Sequence, residues 1–115
     1  MSVKVMKRVY IAGPYNGDNI LDCLDHIRVG IKTACVLIKM GYAPFCPFLD
    51  YQYRIMDSDI TREMYQAQSM VWLEASQAVL LLPGWEKSKG SLAEIRRAKE
   101  LKIPVFHSFE DLRII

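Results

Sequence analysis

Glu94 closes the run Leu80-Leu-Leu-Pro-Gly-Trp-Glu-Lys-Ser-Lys-Gly-Ser-Leu-Ala-Glu94, which holds the residues best suited to chemistry. Its carboxylate can act as a nucleophile or a base, and Lys87, Ser88, Lys89, Gly90 and Ser91 stand just ahead of it. Helix amides that point outward as donors suit an anion, so these residues sit where a phosphate could be held. Two readings of Glu94 compete. In the structural one, Ser91 caps a helix and Glu94 reaches back to its amide, as in a capping box. In the chemical one, helical phase decides: Ile95, Ala98 and Leu101 form an apolar stripe, and Glu94 falls beside Ala98 at its edge. A carboxylate there is partly withdrawn from water, which suits a nucleophile or base better than a solvated surface charge.

Such residues need a frame, and the chain supplies one by alternation. Val79 to Leu82 is a continuous apolar run, the pattern of a strand covered on both faces. Arg8 to Ala12 is a β-rich first strand, ended by Gly13-Pro14 in a polar turn. The glycine spacing of that turn fits neither a dinucleotide fingerprint nor a P-loop. Asp18 or Asn19 then caps a helix whose stripe is Ile20, Leu24, Ile27, Ile31, Ala34, Cys35 and Ile38, with Gly41 as its C-terminal cap. His26 falls opposite the stripe, as a solvated histidine would, and Cys35 reads as a small core residue. Tyr42 to Cys46 is a short strand kept at a sheet edge by its prolines.

Leu49 to Asp57 shows no period and is dense in Tyr, Arg and Asp, as a substrate loop or lid would be; a surface connection is the plainer alternative. Ser58 or Asp59 caps a second helix to about Leu73, with Met64, Ala67, Val71 and Trp72 for packing. Pro104 to His107 is the last strand, and Ser108 caps a short turn or helix through Leu112. Repeated strand–helix alternation with right-handed crossovers gives a doubly wound, flavodoxin-like or Rossmann-like parallel sheet of four to five strands, helices on both faces. The expected order, 2-1-3-4, opens a crevice between the ends of the first and third strands, with Tyr10 and the Gly13 turn facing the Pro83–Glu94 loop across it.

Composition narrows the partners. A chain of 115 residues reads as one domain over residues 1–115. A net charge of +2 is too small to argue for nucleic acid, and no stretch approaches a membrane span. The N-terminal residues lack the apolar core of a signal peptide, and Cys23, Cys35 and Cys46 read as reduced thiols of a cytoplasmic protein. Two histidines and no ligand pairs make a metal an unsuitable expectation.

Three stretches, in order, resemble the nucleoside 2-deoxyribosyltransferase superfamily, which includes deoxynucleoside monophosphate N-glycosidases. They are Tyr10-Ile-Ala-Gly-Pro14, the Gly41-Tyr-Ala-Pro-Phe-Cys-Pro-Phe48 strand and the Leu82–Glu94 loop, within a similarity over roughly residues 8 to 107. The resemblance implies that Glu94 attacks the anomeric carbon of a sugar and expels the base, forming a covalent glycosyl-enzyme that water or another base resolves. It implies that Tyr10 orients Glu94 and that Ser88 holds a monophosphate where the plain transferases carry an aspartate. The expected substrate contacts are Gly13, Pro14, Asp50, Trp85, Ser88, Gly90 and Ser91, with no metal and no cofactor. Two positions depart from the family pattern: Ser69 and Gln77 stand where aspartates are usual. A missing general acid costs on the order of a hundredfold in rate, and Asp50, Asp57 or Asp59 are the substitutes at hand.

The expected function is therefore cleavage or transfer of the N-glycosidic bond of a nucleoside 5′-monophosphate. The alternative is a nucleotide-binding or sensor protein that cleaves nothing; a nicotinamide-dinucleotide binder stands well behind, for want of the glycines. A nucleotide or nucleoside is the expected partner, with a homodimer or higher homo-oligomer through the second helix.

Overall fold

A computed structural model describes residues 6–115. Its centre is the strand β1 (Arg8–Ala12), in which Val9 to Ala12 are at most 1% exposed. Burial on both faces requires strands on either edge and helices above and below. The chain supplies them as α1 (Ile20–Lys39), β2 (Ala43–Phe45), a single 3-10 turn Pro47–Leu49, α2 (Asp50–Met56), α3 (Arg62–Glu74) and β3 (Ala78–Leu81). A second 3-10 turn Trp85–Lys87, α4 (Lys89–Glu100), β4 (Val105–Phe106) and α5 (Phe109–Leu112) complete it. All strands are parallel in the order β2-β1-β3-β4, the doubly wound arrangement expected from the alternation.

Side chains of the central strands divide the core. Val9, Ile11, Ala78 and Leu80 pack with Ile27, Ala34 and Leu37 of α1 and with Leu112 of α5. Tyr10, Ala12, Val79 and Leu81 point the other way, onto Leu73 of α3 and Ile95 and Ala98 of α4. Period-two alternation along β1 therefore sends Tyr10 to the α3–α4 face.

Several sequence expectations shift in phase. The buried face of α1 is Ile27, Gly30, Thr33, Ala34 and Leu37, whereas Ile20, Leu24, Cys35 and Ile38 are exposed. Val29 and Val36 are apolar too, so apolar positions ring much of this helix and leave its rotation open. Close approach settles it: a Cβ on Gly30 would stand 2.3 Å from the buried Phe48 ring. Leu49 to Asp57, expected as an irregular loop, is a 3-10 turn followed by α2, a short helix most of whose residues face water and therefore show no stripe. The cap of α3 is Thr61, which accepts from the Met64 amide at 3.2 Å, and not Ser58 or Asp59. Ser69 and Leu73 form its buried face, and Met64, Ala67 and Val71 are exposed. The caps at Asn19, Gly41 and Ser108 fall where the sequence puts them. Among the described residues no helix is long and apolar enough to cross a membrane.

Gly30 gives a test in which two effects oppose. Alanine gains about 1 kcal/mol of helix propensity, but overpacking a filled core costs about 1–3 kcal/mol. Contact with a buried ring should win, so Gly30→Ala is expected to lower the urea unfolding free energy by about 1 kcal/mol or more. A rise would show that α1 is not held against Phe48.

Candidate active site

The start of α4 decides what Glu94 can do. Ser88, not Ser91, is the cap: its Oγ accepts from the Ser91 amide at 3.1 Å, and the Ser91 hydroxyl donates to the same oxygen at 3.0 Å. The capping box of Ser91 and Glu94 is therefore not formed. Beginning the helix at Lys89 turns Glu94 toward the sheet, where its Oε2 accepts a hydrogen bond from the Tyr10 hydroxyl. Tyr10 is fully buried, and Glu94 is partly so. Burial pushes Glu94 from 4.5 up to about 7, while the Tyr10 hydrogen bond pulls it down part of the way. The Tyr10 phenol is raised far above its ordinary value, first by burial and then by the negative charge of Glu94. The phenol therefore keeps its proton and donates it, and the carboxyl is poised between its two states near neutral pH.

A second carboxyl lies on the other flank of the same phenol. Asp50 opens α2 just beyond β2, is 9% exposed, and is raised by burial from 3.8 to about 6. Its charge is felt at Tyr10, yet Asp50 and Glu94 do not shift one another. Buried Ser69, on α3, also faces the Tyr10 hydroxyl and opposes its rise. Asp50 opens onto a cleft of about 320 Å³ with Phe45, Leu49, Tyr53, Gln68 and Trp72 in its walls. The aromatic column behind it is continuous: Phe45 stacks on Tyr10 at 5.5 Å and on Trp72 at 5.7 Å. Tyr10 and Glu94 adjoin this cleft through Phe45 and Asp50 without forming its wall.

Of the other expected contacts, some are spoken for. The Ser91 side chain is 1% exposed and turned into the protein, so no phosphate reaches it here; Ser88 spends its Oγ on capping. Lys87 and Lys89 are exposed around that turn, with Gly90 partly so. Trp85 packs on the α3–α4 side of the core and tilts against His107 at 5.7 Å, outside the cleft. Gly13 is required by contact: a Cβ there would stand 2.7 Å from Leu82 Cβ. Pro14 touches Gly84, which takes φ +89, so the turns after β1 and β3 do meet at the crevice. They line a second hollow of about 340 Å³ with His26 and Val29, on the α1 side. His26 is only partly exposed, with a buried Nδ1 that has no partner among the described residues, which corrects the expectation of a solvated side chain.

Gln77 serves the backbone. Its Oε1 accepts from the Arg8 amide at 2.6 Å and its own amide donates to Arg8 O at 2.9 Å, at the sheet end away from the cleft. Sequence reasoning missed Phe45, Gln68 and Trp72 as cleft residues, and reached Tyr53 only within the Leu49–Asp57 stretch. Ala43, Pro44 and Phe45 are all apolar, so the strand shows no alternation that says which face Phe45 takes, and Gln68 is a polar residue on a helix read for its apolar packing positions. Among the described residues no three His, Cys, Asp or Glu side chains gather as a metal site.

Fold and site together define a parallel α/β domain with a buried tyrosine–glutamate pair beside an aromatic, acidic cleft. The chain belongs to the family described as a domain of unknown function, DUF7768, whose model matches residues 7–108. No curated protein matches the sequence.

Both raised carboxyls predict one trend. Between the unfolded values, 4.5 and 3.8, and the folded ones, about 7 and about 6, the folded state binds more protons than the unfolded state. Stability is then greatest on the acid side and falls as pH rises through that window, by on the order of 2 kcal/mol. Urea unfolding from pH 5 to pH 8 should show the decline, and Glu94→Gln should flatten its upper part. An unchanged slope in that variant would mean that Glu94 ionises as freely folded as unfolded.

Proposed function

We propose that the protein cleaves or transfers the N-glycosidic bond of a nucleoside 5′-monophosphate, with Glu94 as nucleophile. The observation that carries this reading is the hydrogen bond from the Tyr10 hydroxyl to a Glu94 carboxyl raised to about 7. A carboxylate held half out of water keeps its nucleophilicity, and a donor on one oxygen orients the other toward an incoming carbon. Attack on the anomeric carbon yields a glycosyl ester and free base, and water or a second base then releases the sugar. The cleft supplies aromatic surface on which a base can stack. The amides of Lys89 and Gly90 at the start of α4, with the exposed Lys87 and Lys89 side chains, suit a phosphate at the other end.

A second reading, binding without cleavage, draws on the same geometry. Tyr10 and Glu94 stand behind the cleft wall, and Ser88 is occupied as a cap. Such a protein is stabilised by a nucleotide and releases nothing. For partners, we propose self-association through the exposed apolar side chains of α2 and α3, Met56, Met64, Val71 and Trp72. Sedimentation at micromolar concentration should show a dimer or larger species; monomer alone removes that proposal.

Chromatography of nucleotides and nucleosides incubated with the protein tests the first reading against the second. Free base is expected from at least one 2′-deoxynucleoside 5′-monophosphate, and Glu94→Gln should reduce its release about a thousandfold or more. Tyr10→Phe should lose about tenfold to a hundredfold, the worth of one hydrogen bond to a charged group. Because that bond lowers the Glu94 pKa, its loss should also move the decline of stability with pH, read by urea unfolding, to higher pH. Nucleotide-induced stabilisation with no base released from any substrate would favour the second reading.

A further inference from the structure

If a base leaves a sugar on this fold, something must take up the electron pair of the broken bond. Ser69 and Gln77 cannot, being a neutral hydroxyl and a neutral amide engaged with Tyr10 and Arg8 respectively. Three aspartates lie between β2 and α3. Asp57 and Asp59 are exposed and belong to a turn, the Asp57 carboxylate accepting from the Asp59 amide at 3.0 Å. Asp50 alone is buried, and it alone opens onto the aromatic cleft.

Topology adds the decisive point. Tyr10 lies on β1, between β2 and β3. Glu94 comes to it from the chain that follows β3, and Asp50 from the chain that follows β2. The two carboxyls thus approach from opposite flanks of one phenol. A displacement at carbon needs that arrangement, with nucleophile on one face and departing group on the other.

On the reading of the site given above, we propose that Asp50 is the general acid that protonates the departing base. As the Glu94 oxygen bonds to the anomeric carbon, the C–N bond breaks and its electron pair goes to the base. The Asp50 carboxyl gives its proton to a ring nitrogen of that base, which leaves neutral. Asp50, now a carboxylate, takes a proton from water; the hydroxyl oxygen attacks the anomeric carbon and Glu94 departs as carboxylate. Both carboxyls are thereby restored.

Burial favours the protonated form of Asp50, and the groups on which its charge acts bring no positive charge against it. They are Tyr10 from β1, Tyr15 from the turn after β1, Cys46 from the end of β2 and Tyr65 from α3. All are neutral near pH 7, because burial raises each of them, the Cys46 thiol to about 11. Arg54, on α2, acts on Tyr15 and Tyr65 but does not shift Asp50.

The test compares leaving groups. Wild type, Asp50→Asn and Glu94→Gln are assayed on the common 2′-deoxynucleoside 5′-monophosphates and on N7-methyl-2′-deoxyguanosine 5′-monophosphate, whose purine is already cationic and leaves without a proton. Asp50→Asn should lose about a hundredfold or more on the ordinary substrates and less than about threefold on the methylated one, while Glu94→Gln loses both. In wild type, the alkaline fall of the pH profile should appear with ordinary nucleotides and vanish with the methylated one, a comparison that needs no variant. Equal losses on both substrates, or identical pH profiles, would overturn the role of Asp50 and leave the glycosidic reading standing. No base released by wild type from any of these substrates would overturn both.

Discussion

One hydrogen bond, from a buried phenol to a carboxyl that burial has made reluctant to ionise, is the constraint to which the rest of the fold answers. An acid at the edge of a helix that faced water would titrate as any other. Glu94 does not, because three separate features bring it to Tyr10. The central position of β1 removes the phenol from solvent. The contact of Gly13 with Leu82 keeps the turns after β1 and β3 together. The Ser88 cap sets where α4 begins, and therefore which of its residues faces the sheet. Shift that cap to Ser91 and Glu94 turns back on its own helix terminus.

The cleft depends on the same phenol. Stacking of Tyr10, Phe45 and Trp72 ties β1, β2 and α3 into one column, so the aromatic wall and the acid–phenol pair share one set of contacts. Offset aromatic contacts of this kind contribute about 0.5–1.5 kcal/mol each beyond the area they bury. Charge is sparing in this space. Asp50 and Glu94 flank Tyr10 without perturbing one another, and Ser69 puts a neutral hydroxyl where a third carboxylate would raise every neighbouring pKa further. Ser69 and Gln77 thus read differently in three dimensions: one tempers the phenol, and the other holds the far end of the sheet through Arg8.

Much of this frame was legible in order. The apolar run of β3, the β-rich β1 and the Gly41 and Ser108 caps are local signals, written within a few residues of the structure they specify. Alternation of strand and helix then restricts topology, because right-handed crossovers leave few ways to wind a parallel sheet. The rotation of α1 and the helical state of Asp50–Met56 were not legible. Each depends on which neighbour presses on a helix, Phe48 on Gly30 in the first case, and no periodicity in the helix itself records that.

The site divides along the same line. The sequence by itself determined that an acid, a tyrosine and a turn bearing serines and lysines lie near the carboxyl ends of two central strands, since strand ends and chain order follow from local pattern. Only the tertiary structure decided that Ser88 caps, that Ser91 is buried, that Trp85 leans on His107 and that the charge of Asp50 reaches Tyr10. Those facts turn on contacts between residues distant in the chain, and on the loss of water around them. A hydrogen bond between positions 10 and 94 leaves no trace in either stretch read alone.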